Sequence, residues 1–127
     1  MNWENKFHKD YIEKVKIIDK RFGEIQPGQK MLISSPKSIY DYINHIPYGT
    51  FKTVNNMRIE LAKQKNANNT CHLTTGIFLR VAIEYSIEEK NIIPYWRIIN
   101  IKLPIAKKLS CGLDFIEKKQ NEEGINV

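Results

Sequence analysis

Helix caps and breakers divide the middle of the chain into short helices. Ser35-Pro36 combines an N-cap with proline at the first helical position, where the missing N–H costs nothing. That helix should stop by His45, because Pro47-Tyr48-Gly49 fits a tight turn. Thr53 then begins a second helix as its predicted cap. The sequence therefore predicts two helices with a turn between them.

A longer third helix follows a polar loop. Residues 63 to 70, KQKNANNT, are rich in asparagine and predict the loop, with Thr70 as the cap of the next helix. The apolar face of that helix is indicated by residues at four-residue spacing, namely Leu73, Ile77, Val81 and Tyr85. A helix, a polar connection and a longer helix are the pattern of a helix-turn-helix, here with a longer connection than usual.

Both ends of the chain also carry helical patterns. Five residues near the N-terminus recur every three or four positions and predict an amphipathic helix over about residues 2 to 21: Trp3, Phe7, Tyr11, Val15 and Ile18. We interpret it as a helix packed across the main body rather than on a membrane surface, because acidic residues interrupt it. Residues 31 to 33 are a short apolar run that forms either a strand or a contact that docks the linker. A last helix is expected over about residues 113 to 123.

Composition limits the class of protein. The chain has 127 residues, enough for one domain, and no apolar run approaches a membrane span. Without a signal peptide at its start, we expect a cytoplasmic protein with reduced cysteines. The cysteines and histidines show no ligand spacing for zinc, so we expect no metal site. No motif implies a cofactor, and we expect none.

The positive charge is concentrated in the middle of the chain. The net charge is +6, and residues 31 to 83 hold six basic against two acidic side chains. Such a bias favours contact with polyanions, and a solvated basic surface is the alternative interpretation.

Three segments, in order, resemble the O6-alkylguanine-DNA alkyltransferases. Residues 46 to 53, IPYGTFKT, resemble the entry of that family into its helix-turn-helix. Residues 94 to 99, PYWRII, lie where the family has Pro-Cys-His-Arg-Val-Ile, and residues 115 to 124 resemble its closing helix. The chain is more similar still to an uncharacterised alkyltransferase-like branch, whose members share Thr-Cys-Pro-x-Thr-Thr-Gly-Ile-Phe and then Pro-Tyr-Trp-Arg or Pro-Phe-Trp-Arg. Residues 70 to 78 read TCHLTTGIF, with His72 in place of that proline.

This resemblance implies a fold and a division of the chain. The expected fold is mainly α with short β segments, a winged-helix or helix-turn-helix domain with an added N-terminal helix. Residues 1 to 30 would form the N-terminal helix and linker, and residues 31 to 127 the alkyltransferase-like winged-helix domain. Double-stranded DNA is the implied partner.

The same resemblance argues against alkyl transfer. Tyr95 and Trp96 occupy the positions of the family's catalytic cysteine and histidine. A phenol with a pKa near ~10 and an indole that is no base do not replace a thiolate and its activating imidazole. We therefore expect no catalytic residue and no enzyme activity. Alkyltransferase-like proteins also lack the cysteine and bind alkylated DNA without repairing it. Non-catalytic DNA binding is therefore the leading hypothesis, and recognition of modified bases is left open.

The candidate DNA-binding residues lie around the third helix, whose N-terminal N–H groups attract anions. The full candidate set is Lys52, Thr53, Arg58, Lys63, Lys65, His72, Thr74, Thr75, Gly76 and Arg80. As an alternative, Thr74 and Thr75 cap or pack, and Gly76 allows a close helix crossing. The tyrosine and arginine with which the family handles the DNA phosphate and the flipped base are replaced, in our alignment, by Val54 and Thr74.

Two further sites stay open. Tyr95, Trp96 and Arg97 form either the wall of a former alkyl-base pocket or a core segment whose arginine pairs with a carboxylate. Cys71 is a candidate reactive thiol at a helix start, with a buried structural cysteine as the alternative. The rival functions are a protein-interaction module on the same fold and a thiol enzyme that uses Cys71.

Overall fold

A computed structural model describes residues 2–127 as a helical protein with one small sheet. Its elements are α1 (Trp3–His8), β1 (Lys14–Ile17), β2 (Lys30–Ile33), α2 (Pro36–Asn44), α3 (Val54–Gln64), β3 (Asn69–Thr70), α4 (His72–Glu88), a 3-10 turn (Tyr95–Arg97), α5 (Pro104–Lys108) and α6 (Leu113–Glu122). The expectation of a mainly α protein with short β segments is confirmed. Within this described range, no helix is long and apolar enough to cross a membrane.

Helices α2 and α3 begin at the predicted caps. The Ser35 hydroxyl accepts the Ser38 backbone N–H at 3.2 Å, and Pro36 is the first residue of α2. Thr53 and Asn56 form a capping box, in which each side chain accepts the other residue's backbone N–H at 3.0 Å. Such caps satisfy amides that the helix itself leaves unpaired, which is why both starts are readable from the sequence.

The predicted start of α4 is displaced by one residue. Cys71, not Thr70, is its N-cap, and Thr70 belongs to strand β3. The Thr70 hydroxyl donates to the Arg58 carbonyl oxygen at 2.6 Å rather than capping the helix.

The predicted N-terminal helix over residues 2 to 21 is wrong beyond His8. Helix α1 ends there, and β1 pairs with β2 in antiparallel register, Lys14 opposite Ile33 and Ile17 opposite Lys30. β-Branched residues near β1 favour an extended backbone, and the free edge of β2 offers hydrogen bonds that override the helical period. This pairing crosses the expected boundary at residue 30 and joins the N-terminal segment to the rest of the sheet.

The sheet lies next to the start of α4. Its order is β1-β2-β3, and β3 runs parallel to β2 with Leu32 opposite Thr70. The Cys71 N–H continues the ladder by donating to the Leu32 carbonyl at 2.8 Å, and α4 begins directly afterwards. The sheet therefore fixes where α4 starts, and every strand in residues 2–127 precedes that helix.

Helix α4 is the centre of the core. It packs against both α1 and α2, and its Leu79 and Ile83 are buried with Ile39 and Ile43 of α2. From α1, Phe7 stacks on Tyr85 with ring centres 4.1 Å apart. One end of α4 is thus enclosed, while its first turns reach the surface.

Candidate nucleic-acid interface

The N-terminal half of α4 exposes an apolar stripe. Leu73, Gly76, Ile77 and Arg80 follow helical spacing and lie on one face. Leu73 is 58% and Ile77 61% exposed, so the predicted apolar face of this helix is not its buried one in the first turns. Val81, which was predicted on the same face, is buried as expected. The buried residues of α4 as far as Ala82 are Thr75, Phe78, Leu79, Val81 and Ala82. A helix that is apolar on nearly every side does not reveal from its sequence which side meets the core.

Three other segments wall this stripe and make a groove, called the α4 groove below. Trp3, Lys6 and Lys9 come from α1 and the residue after it, and the start of α3 contributes Val54 and Asn55. The opposite wall is residues 103 to 105 with Lys108, at α5. The groove has a volume of about 870 Å³. It joins parts of the chain that are far apart in sequence, so its residues outside α4 and α3 carry no local signal.

The charged groups that line the α4 groove are cations. Lys6, Lys9, Arg80 and Lys108 lie along it, and no aspartate or glutamate belongs to its lining in residues 2–127. The Arg80 guanidinium carbon lies 5.2 Å from the centre of the Trp3 ring, and the Lys6 ammonium lies 5.0 Å from it. The groove is therefore apolar in its floor and positive at its sides, which suits an anionic surface.

Residues at the start of α4 differ in their access to a ligand. His72 is exposed and stacks on Phe22 at 4.8 Å. Thr74 is partly buried. Thr75 is 1% exposed and donates to the Cys71 carbonyl oxygen at 2.6 Å, so its prediction as a DNA contact is wrong and its packing alternative is confirmed.

Gly76 has an open environment. A Cβ atom placed on it would meet no atom within 4 Å, so Gly76 does not serve a close helix crossing in this structure. It leaves a gap between Leu73 and Ile77 on the exposed stripe. That gap lets a ligand approach the helix backbone.

Arg58 is not available for DNA. It is 5% exposed, and its Nε and terminal nitrogen donate to the Thr70 carbonyl oxygen at 3.0 and 2.8 Å. It also pairs with Glu24 from the β1–β2 connection. Arg58 thus holds α3, β3 and that connection together, and its prediction as a phosphate contact is wrong.

The other predicted cations and Thr53 lie outside the α4 groove. Lys52 pairs with Glu60 at 3.5 Å in the cleft between α2 and α3, and Lys65 lies 3.7 Å from Glu13. Lys63 is exposed in the last turn of α3, and the exposed Thr53 has its hydroxyl oxygen committed to the helix cap. Of the predicted set, His72, Gly76 and Arg80 line the groove.

The segment Tyr95-Trp96-Arg97 is part of the core. Tyr95 is 0% exposed, and burial raises the pKa of its hydroxyl. That hydroxyl lies close to the Cys111 thiol, which also raises its pKa, but it makes no hydrogen bond of normal geometry within residues 2–127. Tyr95 therefore offers no surface to a base, and its prediction as a pocket wall is wrong.

Arg97 and Trp96 are held by a carboxylate that the sequence-based prediction did not name. Arg97 donates to both Glu123 oxygens, at 2.8 and 2.9 Å, and to the Ile46 carbonyl oxygen at 2.7 Å. Trp96 Nε1 donates to Glu123 at 2.6 Å, and the Gly49 N–H does so at 2.8 Å. The core-segment alternative, with an arginine paired to a carboxylate, is confirmed. Glu123 lies in residues 115 to 124, which resemble the closing helix of the alkyltransferases. That resemblance was the one sequence signal that could have drawn attention to this carboxylate.

This carboxylate is strongly ionised. Hydrogen bonds from Arg97 are the main cause that lowers the pKa of Glu123 to about 2, and the Gly49 N–H and Trp96 add to the effect. The cluster ties the turn before α3, the 3-10 turn and the end of α6 to one another. The cluster therefore fixes the position of the chain that leads into α3.

The cysteines occupy different environments. Cys71 is buried beside Ile25 and Met31, which matches the structural-cysteine alternative. Cys111 is half-buried, and that burial raises the pKa of its thiol. In residues 2–127, no group of three histidine, cysteine or acidic residues is placed to hold a metal ion.

Comparison of the chain with protein-family models, curated proteins and solved structures finds no match.

Proposed function

We propose that this protein binds duplex DNA without catalysis, through the exposed stripe of α4. The observation that carries the proposal is the α4 groove. There α1 with the residue after it, and α5, place three lysines beside the first turns of α4, which adds Arg80, and no carboxylate belongs to the lining among the described residues. A protein that neutralises several phosphates in this way gains affinity that does not depend on sequence. The resemblance of the chain to alkyltransferase-like proteins supports the same partner.

The chemistry of the stripe favours the minor groove of DNA. Leu73, Gly76 and Ile77 offer no hydrogen bonds to base edges, so they cannot read the donor and acceptor pattern of a major groove. Minor-groove proteins insert apolar side chains between base steps and hold the backbone with lysine and arginine. We propose that α3, the β3 connection and α4 act as a helix-turn-helix unit in this role, without a wing after α4, since no strand follows that helix in residues 2–127.

We propose further that binding does not require a damaged base. An extruded base needs a pocket and groups that offset the cost of a few kcal/mol for unstacking. The buried Tyr95 side chain occupies the space that such a pocket would need, and Arg97 is paired with Glu123. Duplexes with and without O6-methylguanine should therefore bind equally.

A protein-interaction module is the second candidate, and the exposure of Leu73 and Ile77 favours it. Exposed apolar side chains with a polar rim are common at protein interfaces. The cationic lining of the α4 groove favours DNA over this alternative.

The proposal is tested by fluorescence anisotropy with plain duplex, O6-methylguanine duplex, single strand and RNA. Ile77→Glu places a carboxylate in the middle of the stripe, and we expect it to abolish duplex binding. Ile59→Glu is the matched control, because Ile59 is also exposed but lies on α3 outside the α4 groove. Failure of the unaltered protein to bind duplex at low salt would refute the proposal and favour the interaction module.

A further inference from the structure

Among residues 2–127, Arg80 is the one residue of the α4 groove with a buried side-chain polar atom that has no partner. Its Nε is shielded from solvent and has no hydrogen-bond acceptor. No ion pair joins it to another of residues 2–127, and its guanidinium carbon lies 5.2 Å from the centre of the Trp3 ring. A buried donor without an acceptor is costly, and such groups in folded proteins usually mark a missing water, ion or ligand.

The surroundings of Arg80 select the chemistry of that ligand. The guanidinium is a planar fork that matches two oxygens of a carboxylate or phosphate, and contact with an aromatic ring holds it in one orientation. Lys6, Lys9 and Lys108 add positive charge along the same groove. The partner at this point is therefore an oxyanion.

The rest of the α4 groove favours a ligand whose remaining part is apolar. Leu79, which is buried, forms part of the floor, and Leu103 and Ile105 form the wall on the α5 side. A volume of about 870 Å³ lies within the range of pockets that hold small organic ligands. Such pockets are mostly apolar with a few placed polar groups, and this one has one orphan donor among apolar side chains.

We propose that the α4 groove binds an organic anion with an apolar chain, its oxyanion on Arg80 and its chain along α4 toward α5. Free amphiphiles of this class include medium-chain carboxylates and alkyl phosphates, and both share the chemistry that Arg80 recognises. Since the ligand covers Leu73 and Ile77, it also competes with any partner of that stripe. Amphiphile binding is measured without DNA, so its result is independent of the proposed DNA binding.

The experiment is isothermal titration calorimetry of the full chain with probes that separate head from chain. Dodecanoate and dodecyl phosphate, used as monomers, carry both parts; inorganic phosphate carries only the head and dodecanol only the chain. We expect the two complete amphiphiles to bind and each partial probe to bind at least about tenfold more weakly, as for loss of a charge-assisted hydrogen bond or of the buried chain.

Variants locate the site. Arg80→Gln should weaken dodecanoate about ten- to a hundredfold, and Ile77→Glu, an exposed change that leaves the core intact, should weaken it similarly. Lys118→Gln removes an exposed charge on α6 and should have no effect. The Trp3 ring lies against Arg80, so the change in tryptophan fluorescence on binding should be lost in Trp3→Phe.

Three results would overturn the proposal. Equal affinity of Arg80→Gln and Ile77→Glu with the unaltered chain would place the amphiphile elsewhere. Dodecanol binding as tightly as dodecanoate would show apolar adsorption only. Binding to vesicles of anionic phospholipid, with no binding of the free amphiphiles, would make the surface a membrane contact instead.

Discussion

The Glu123 cluster makes a quantitative prediction about stability and pH. The pKa of this carboxyl falls from 4.5 to about 2 on folding, chiefly through Arg97. At about 1.4 kcal/mol per pH unit, this difference contributes roughly 3 kcal/mol to the free energy of unfolding at neutral pH. Glu123→Gln keeps the size of the side chain and removes the charge, so it should lose about that amount at pH 7.

The pH dependence follows from the direction of the change. A carboxyl whose pKa is lowered by folding stabilises the protein above its unfolded pKa, 4.5, and loses that contribution as the pH falls toward about 2. The difference between the unaltered chain and Glu123→Gln should shrink from roughly 3 kcal/mol at pH 7 to roughly 1.5 kcal/mol at pH 3.

Urea unfolding followed by circular dichroism at both pH values measures this difference. Glu122→Gln is the matched control, because the Glu122 side chain lies at the surface 3.7 Å from Lys119. It should change stability by less than about 0.5 kcal/mol. A difference below about 1 kcal/mol for Glu123→Gln at pH 7, or one that does not shrink on acidification, would refute the ionised cluster.

Three further predictions concern single sites. Gly76→Ala should raise the free energy of unfolding, measured in urea, by about 0.5 to 1 kcal/mol, since the added methyl meets no atom. Gly76→Gln should weaken duplex binding, measured by anisotropy, without loss of stability. A destabilising Gly76→Ala would contradict the open site. Tyr95→Phe removes a buried hydroxyl that makes no hydrogen bond of normal geometry, so it should stabilise the chain by up to about 1 kcal/mol in the same unfolding assay. A loss of stability would show instead that the contact with the Cys111 thiol is a stabilising hydrogen bond. In the native protein, Cys71 is buried and burial raises the pKa of Cys111, so mass spectrometry should show slow alkylation by iodoacetamide at pH 7 that becomes fast in urea. Rapid native alkylation that Cys71→Ala abolishes would support the thiol enzyme.

Local signals were sufficient for most of the helices. Ser35-Pro36 and the Thr53 cap act within one helical turn, so the starts of α2 and α3 are correct to the residue. The periodic N-terminal stripe failed because residues 14 to 17 gain more from pairing with β2 than from a helix. That partner is distant in sequence, and periodicity alone contains no information about it.

The candidate site was predictable only in its helix. The resemblance indicated α4 as the recognition helix, and His72, Gly76 and Arg80 were predicted on it. Its periodicity wrongly assigned Leu73 and Ile77 to the buried face. Arg58 looked like a surface cation because its partner Glu24 lies far away in the sequence. Lys6, Lys9 and Lys108 were missed for the same reason, since only the fold brings α1 and α5 to the sides of α4.

The most direct test of DNA binding through the α4 groove is the salt dependence of duplex affinity in two triple variants. If its four cations each neutralise one phosphate, the log–log slope is about −3.6, at roughly −0.9 per contact, and affinity falls about 150-fold between 50 and 200 mM salt. Replacing Lys6, Lys9 and Lys108 by glutamine should reduce the slope to about −0.9, while replacing Lys52, Lys63 and Lys65 should leave it unchanged. A slope that is unchanged by the first variant and flattened by the second would contradict DNA binding through the α4 groove.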